Sequence, residues 1–201
     1  LRKVTAIDKQ DATAWFFLGC CLYGRKQAFE AAKAWERTLQ IESSFATARR
    51  CLAMACYSHL DRRAEALPLL LQAYTDEPDE QLLYEICHVM ARSGIPPAER
   101  IRYIAAHTGE NPRSDIVLEL AHAMLQNRQP QEALALLAQF TFVPCEGGEH
   151  TVAEPYMLAH HYLGRLALSE NDYEKAFQHF RAAQILPDYL GAGLWHEALL
   201  V

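Results

Sequence analysis

The chain has 201 residues, 51% of them apolar and 22% charged, with a net charge of −6. That length suffices for one large domain or two small ones with a real core. The acidic balance argues against nucleic acid as a partner, because a protein that tracks a phosphate backbone needs a Lys/Arg surplus on one face. The longest uncharged stretches, such as Ala12 to Gly24, fall short of a membrane span, so no membrane partner is expected.

In chain order, Leu1–Asp8 reads as the tail of a preceding helix, and a repeating pattern follows. Leu18-Gly19, Leu52-Ala53, Ile86-Cys87 and Leu120-Ala121 recur at intervals of 34 residues. A fifth member, Leu163-Gly164, comes after 43, so nine residues are added before it. Trp35, Tyr103, Leu137 and Phe180 stand at one bulky offset, with Leu70 displaced by one. Small residues fill the other contact positions: Ala31, Ala66, Ala133 and Ala176, then Ala73, Ala106 and Ala183. Glu99, Thr38 and Phe140 depart from that pattern.

The physical logic is a helical hairpin: a small residue lets two backbones approach, and a bulky one fills the groove against the next pair. Turns are expected at Asp61, at Ser93 to Pro97, from Asn127 to Pro130 and at Glu170 to Asp172. Pro78, Pro112, Pro144 and Pro187 are expected to end the second helices. No period-two segment suits a strand. The prediction is an all-α fold, an α-α superhelix of about five hairpins, with repeats over 12–45, 46–79, 80–113, 114–144 and 154–188. An inserted loop is expected over 145–153 and the start of a further helix over 189–201, in one solenoid domain cut from a longer chain.

Six cysteines are present, at 20, 21, 51, 56, 87 and 145. The first five lie in apolar helical patterns and no CxxC pair occurs, which predicts reduced thiols and a cytoplasmic protein.

The 34-residue step with these side chains resembles the tetratricopeptide repeat, most closely in the stretch from Leu163-Gly164 through Tyr173, Ala176, Phe180 and Ala183 to Pro187. A narrower resemblance rests on Phe142 to His150 and on Leu186 to Gly191, which are similar to the repeat region of long bacterial proteins carrying an uncharacterised domain upstream. That resemblance implies a carbohydrate-related neighbourhood and assigns no reaction.

In such a superhelix the first helices line the concave groove, the usual ligand surface. Periodicity places Phe16, Cys20 and Tyr23 there, then Arg50, Met54 and Tyr57, then Tyr84, His88 and Arg92. The later repeats add Leu118 and His122, then His161 and Arg165. Some tetratricopeptide proteins hold a terminal carboxylate with a Lys, Asn and Arg clamp. Phe16 and Cys20 fill its first two slots here, so that clamp is absent. The set mixes aromatic anchors with Arg forks, a combination that suits peptides and also sugar rings.

The segment Pro144 to His150 holds the remaining candidates: Cys145, Glu146, Gly147, Gly148, Glu149 and His150. No metal site is expected, because zinc needs converging ligands in tight pairs and the adjacent His160 and His161 diverge by about 100° on a helix. No catalytic residue is assigned, since Cys145 and His150 lack an orienting third group and no phosphate-cradling motif occurs. Nine extra residues exceed what a plain connection needs, and long insertions in compact arrays often carry function.

Two functions follow as expectations. The first is a non-catalytic interaction or scaffold module, without cofactor, that binds a protein, a peptide or a neighbouring domain. The alternative is an accessory repeat region of a carbohydrate-active enzyme, whose EGGEH loop completes a site on an upstream domain.

Overall fold

The computed structural model describes residues 8–142 and 149–191, without side chains for 149–151. Among them the secondary structure is helical, with no strand. Helices run over Ala12–Gly24 (α1), Ala28–Ile41 (α2), Ala46–Ser58 (α3), Arg63–Asp76 (α4) and Glu80–Arg92 (α5). They continue over Pro97–His107 (α6), Ser114–Gln126 (α7), Pro130–Leu137 (α8), Glu149–Ser169 (α9) and Tyr173–Ala182 (α10), followed by a 3-10 turn at Asp188–Leu190.

Aspartates set three of the helix starts. Asp11, Asp79 and Asp172 accept from the backbone N–H groups of Ala14, Leu82 and Lys175, satisfying donors a first turn leaves open. The turns inside the hairpins share a left-handed residue: Lys26, Asp61, Gly94, Arg128 and Asn171 all have φ between 53° and 74°. Four of these five are not glycine. Each therefore holds a conformation that costs an L-residue energy in order to close the same turn.

The chain divides into two compact units, up to Gly94 and from Ile95. In the first, α1 packs on α2, α2 on α3, α3 on α4 and α4 on α5. Its core gathers Leu18, Leu22, Trp35, Leu52 and Cys56. In the second, α6 packs on α7, α7 on α8 and α9, and α9 on α8 and α10. Here Val117, Leu137, Phe142, Tyr156 and Leu190 form one cluster, and Leu125, Ala133 and Ala159 a smaller one.

The small-against-bulky pairing is visible atom by atom. A methyl placed on Gly19 would lie 2.4 Å from Trp35 Nε1, and one on Gly164 would lie 2.7 Å from Phe180 Cε1. In the second and third repeats the buried residue stands one place later, at Leu70 and Ile104, and Tyr103 instead stacks on His107 at 4.2 Å. Thr38, a departure from the small-residue pattern, is fully buried, and its hydroxyl donates to the carbonyl oxygens of Ala34 and Ala12.

Several helix boundaries differ from the sequence expectation. Helix α9 opens at Glu149, so residues 149–153 extend the helix instead of forming loop. The helix carries Pro155 in its interior, where the missing N–H removes one backbone hydrogen bond and the ring crowds the carbonyl four residues earlier. Proline is also not what ends α6, α8 or α10, which stop at His107, Leu137 and Ala182, well before Pro112, Pro144 and Pro187. At the first of these the Thr108 hydroxyl and amide both donate to the carbonyl oxygen of Ile104.

Candidate functional site

The candidate residues of the first unit come from α1, α3 and α5, and the structure assembles them pairwise. Phe16 leans on Phe45 with centroids 5.0 Å apart, and Tyr23 lies between Trp35 and His59 at 5.6 and 5.5 Å. His88 is flanked by Tyr57 and Tyr84 at 6.2 and 6.0 Å, so three rings from two helices form one cluster. Cys20 and Cys51 pack half-buried against the core, and Met54 lies half-buried on α3. Burial pushes the Cys51 thiol up to about 11, which keeps it protonated and unreactive near neutral pH. Cys56 and Cys87 are buried, whereas Cys21 is exposed.

Arg50 is not available as a ligand fork. Its Nε and Nη2 donate to the two carboxylate oxygens of Glu85 at 2.7 and 2.6 Å, a bidentate bridge from α3 to α5. The hydrogen bond to Glu85 raises the Arg50 proton affinity further, so the guanidinium stays charged.

The C-terminal ends of α3 and α5 and the start of α4 enclose a cavity of about 600 Å³ lined by Tyr57, Ser58, Arg63, Ala64, Arg92 and Ser93. Two of its walls, Tyr57 and Arg92, belong to the periodic set. Arg63, Ser58 and Ser93 do not, because they stand at helix ends and in turns where a helical period gives no direction. Arg63 sits over the Tyr57 ring, with its guanidinium carbon 5.9 Å from the centroid. Among the described residues neither Arg63 nor Arg92 pairs with a carboxylate, while Arg62 beside them holds both Glu36 and Glu65.

The candidates of the second unit are more dispersed. His122 on α7 donates from Nδ1 to the carbonyl oxygen of Leu118 at 2.8 Å and turns Nε2 toward Glu154, 3.8 Å away. His161 faces Phe180 at 5.7 Å, and Arg165 is exposed on α9. His160, the neighbour of His161, also meets α10, where its Nδ1 lies 3.1 Å from Nδ1 of His179. Among the described residues no three His, Cys, Asp or Glu side chains converge as a metal set would require. No described helix is long and apolar enough to cross a membrane.

Of the loop candidates, Cys145, Glu146, Gly147 and Gly148 lie outside the described residues. Glu149 and His150 begin α9, with their side chains outside the description. The segment before that stretch meets the 3-10 turn at Asp188–Leu190. The Phe142 amide donates to the Tyr189 carbonyl oxygen at 2.8 Å, and Phe142 and Leu190 are buried in the same cluster.

No family model matches the chain. Among solved structures, YrrB, a TPR protein with an unusual peptide-binding site, superposes on all of this chain and 97% of its own with a TM-score of 0.66 at 17% identity. PilF of Pseudomonas aeruginosa covers 99% of this chain and 85% of its own at a TM-score of 0.60 and 20% identity. PilW, a widely conserved type IV pilus biogenesis factor, covers 94% and 91% at 0.50 and 18%. At such identities the likeness is one of fold.

Proposed function

From a chain with the tetratricopeptide-repeat fold, we propose a non-catalytic protein-interaction module that takes a peptide segment on the first-helix faces of its first unit. The observation that carries this reading is the cavity between α3, α4 and α5, with the Tyr57, His88 and Tyr84 rings running on from its edge. Aromatic side chains supply large contact area at low rotamer cost, and an Arg beside them gives direction to a partner's polar groups. YrrB, a structure of the same fold, has a peptide-binding site, which supports a peptide as the class of partner. Arg50 has a positioning part here, because its bridge to Glu85 fixes the spacing of α3 and α5.

The test is a selection of peptides from a random library on the immobilised protein, followed by titration of the selected sequences. Micromolar binding that weakens tenfold or more in Tyr57→Ala combined with Tyr84→Ala is the expected result, about 1.4 kcal/mol or more by the affinity relation. If no sequence is enriched, or if the double variant binds as the parent does while keeping its helical circular dichroism, this face is not the binding surface.

A further inference from the structure

The cavity also has a charge character that peptide anchoring alone does not explain. Arg49 pairs with Asp76, Arg50 with Glu85, Arg62 with Glu36 and Glu65, and Arg113 with Asp115. In a chain of net charge −6, carboxylates are in excess, yet Arg63 and Arg92 line one hollow with no carboxylate on either among the described residues. Glu65, which follows Arg63 closely in sequence, is held by a two-point bridge to Arg62. The result is two uncompensated positive charges facing a space of about 600 Å³, with the hydroxyl-bearing Ser58 and Ser93 on the same wall.

We propose that this cavity is an oxyanion site for the phosphoryl group of a phosphomonoester, presented by a phosphorylated side chain of the bound peptide. Naming a peptide as the carrier rests on the function proposed above. The oxyanion chemistry does not. A carboxylate brings one charge and two oxygens, enough for a single guanidinium fork. A phosphomonoester brings a charge of about −1.5 to −2 at neutral pH and three acceptor oxygens, which matches two forks with hydroxyl donors in reserve. The planar guanidinium is the donor best suited to such oxygens, and Tyr57 steadies one of the pair from beneath. Binding is wholly non-covalent, and it displaces water and counter-ions from two exposed side chains.

The experiment titrates the 201-residue protein with phenyl phosphate and, separately, with benzoate, following backbone amide shifts by NMR. Phenyl phosphate is expected to move the amides around residues 57–64 and 91–94 in a saturable way. Its affinity should fall at least tenfold in Arg63→Gln and in Arg92→Gln, and benzoate should bind at least tenfold more weakly than phenyl phosphate. Both arginines are exposed, so the variants are expected to keep the parent's fold, which the same spectra verify. Absence of saturable shifts, equal binding of benzoate, or parental affinity in both variants would overturn the oxyanion site. If it falls while library-selected peptides still bind through Tyr57 and Tyr84, the interaction module stands and only its phosphoryl preference is lost. If phenyl phosphate binds but phosphorylated and plain copies of the selected peptides bind alike, the carrier is not the peptide and the proposal as stated fails.

Discussion

At Gly19 a single missing methyl group sets how closely α1 and α2 approach. The Trp35 indole occupies that space and is itself 2% exposed, so it has nowhere to retreat. Alanine at this position would gain about 1 kcal/mol in helix propensity but would force an overpacked core, which costs about 1–3 kcal/mol. We therefore expect Gly19→Ala to lower the urea midpoint. Gly24→Ala, where nothing lies within 4 Å of the added methyl, should leave the midpoint unchanged or raise it. Equal effects in the two variants would show that the close approach is not what holds the hairpin. The Gly19 and Trp35 pair was legible in the sequence because both sit at the repeat offset. The positive φ of Lys26 and Arg128 was not, since a long charged side chain gives no sign of it.

Among the elements, α9 and α10 carry a pH-dependent contact. His160 and His179 stand Nδ1 to Nδ1 at 3.1 Å, so one ring donates and the other accepts. A proton added to both would set two charges side by side. Burial lowers the proton affinity of both imidazoles. His179 adds to the effect on His160, and Lys175 adds to that on His179. Their folded values thus lie below the unfolded reference of about 6.5, and the unfolded chain takes up protons first as the pH falls. Stability should drop below about pH 6.5 and stop dropping once the folded values are passed. Urea midpoints at about pH 7.5 and 5.5 are expected to differ less in a His160→Gln, His179→Gln double variant than in the parent. An unchanged difference would place the pH dependence elsewhere. The sequence showed two adjacent histidines diverging on a helix. Only the packing of α10 revealed that His160 meets His179 and His161 meets Phe180.

At the scale of the whole molecule, one of the clusters described above lies within the first unit and two within the second. Leu137, fully buried among Val117, Phe142, Tyr156 and Leu190, anchors the second unit. Truncation to alanine should cost about 2–5 kcal/mol in cavity and transfer terms. Amide hydrogen exchange should then speed up in α7 to α10 while α1 to α4 keep their protection, because repeat stability is carried by near neighbours. Equal acceleration in both units would mean that the array unfolds as one body.

The sequence by itself determined the helical class, the 34-residue step, the small-against-bulky contacts and the aromatic positions Tyr57, Tyr84 and His88. Each of these repeats, and a repeated burial pattern survives in one dimension because every unit buries its face in the same way. The tertiary structure alone decided that Arg50 is committed to Glu85, that Arg63, Ser58 and Ser93 join Tyr57 and Arg92 around one cavity, and that α9 reaches back to Glu149. Those outcomes depend on which side chains from different helices and turns come within a few ångströms of one another, and charge partners and helix-end residues carry no period from which that can be read.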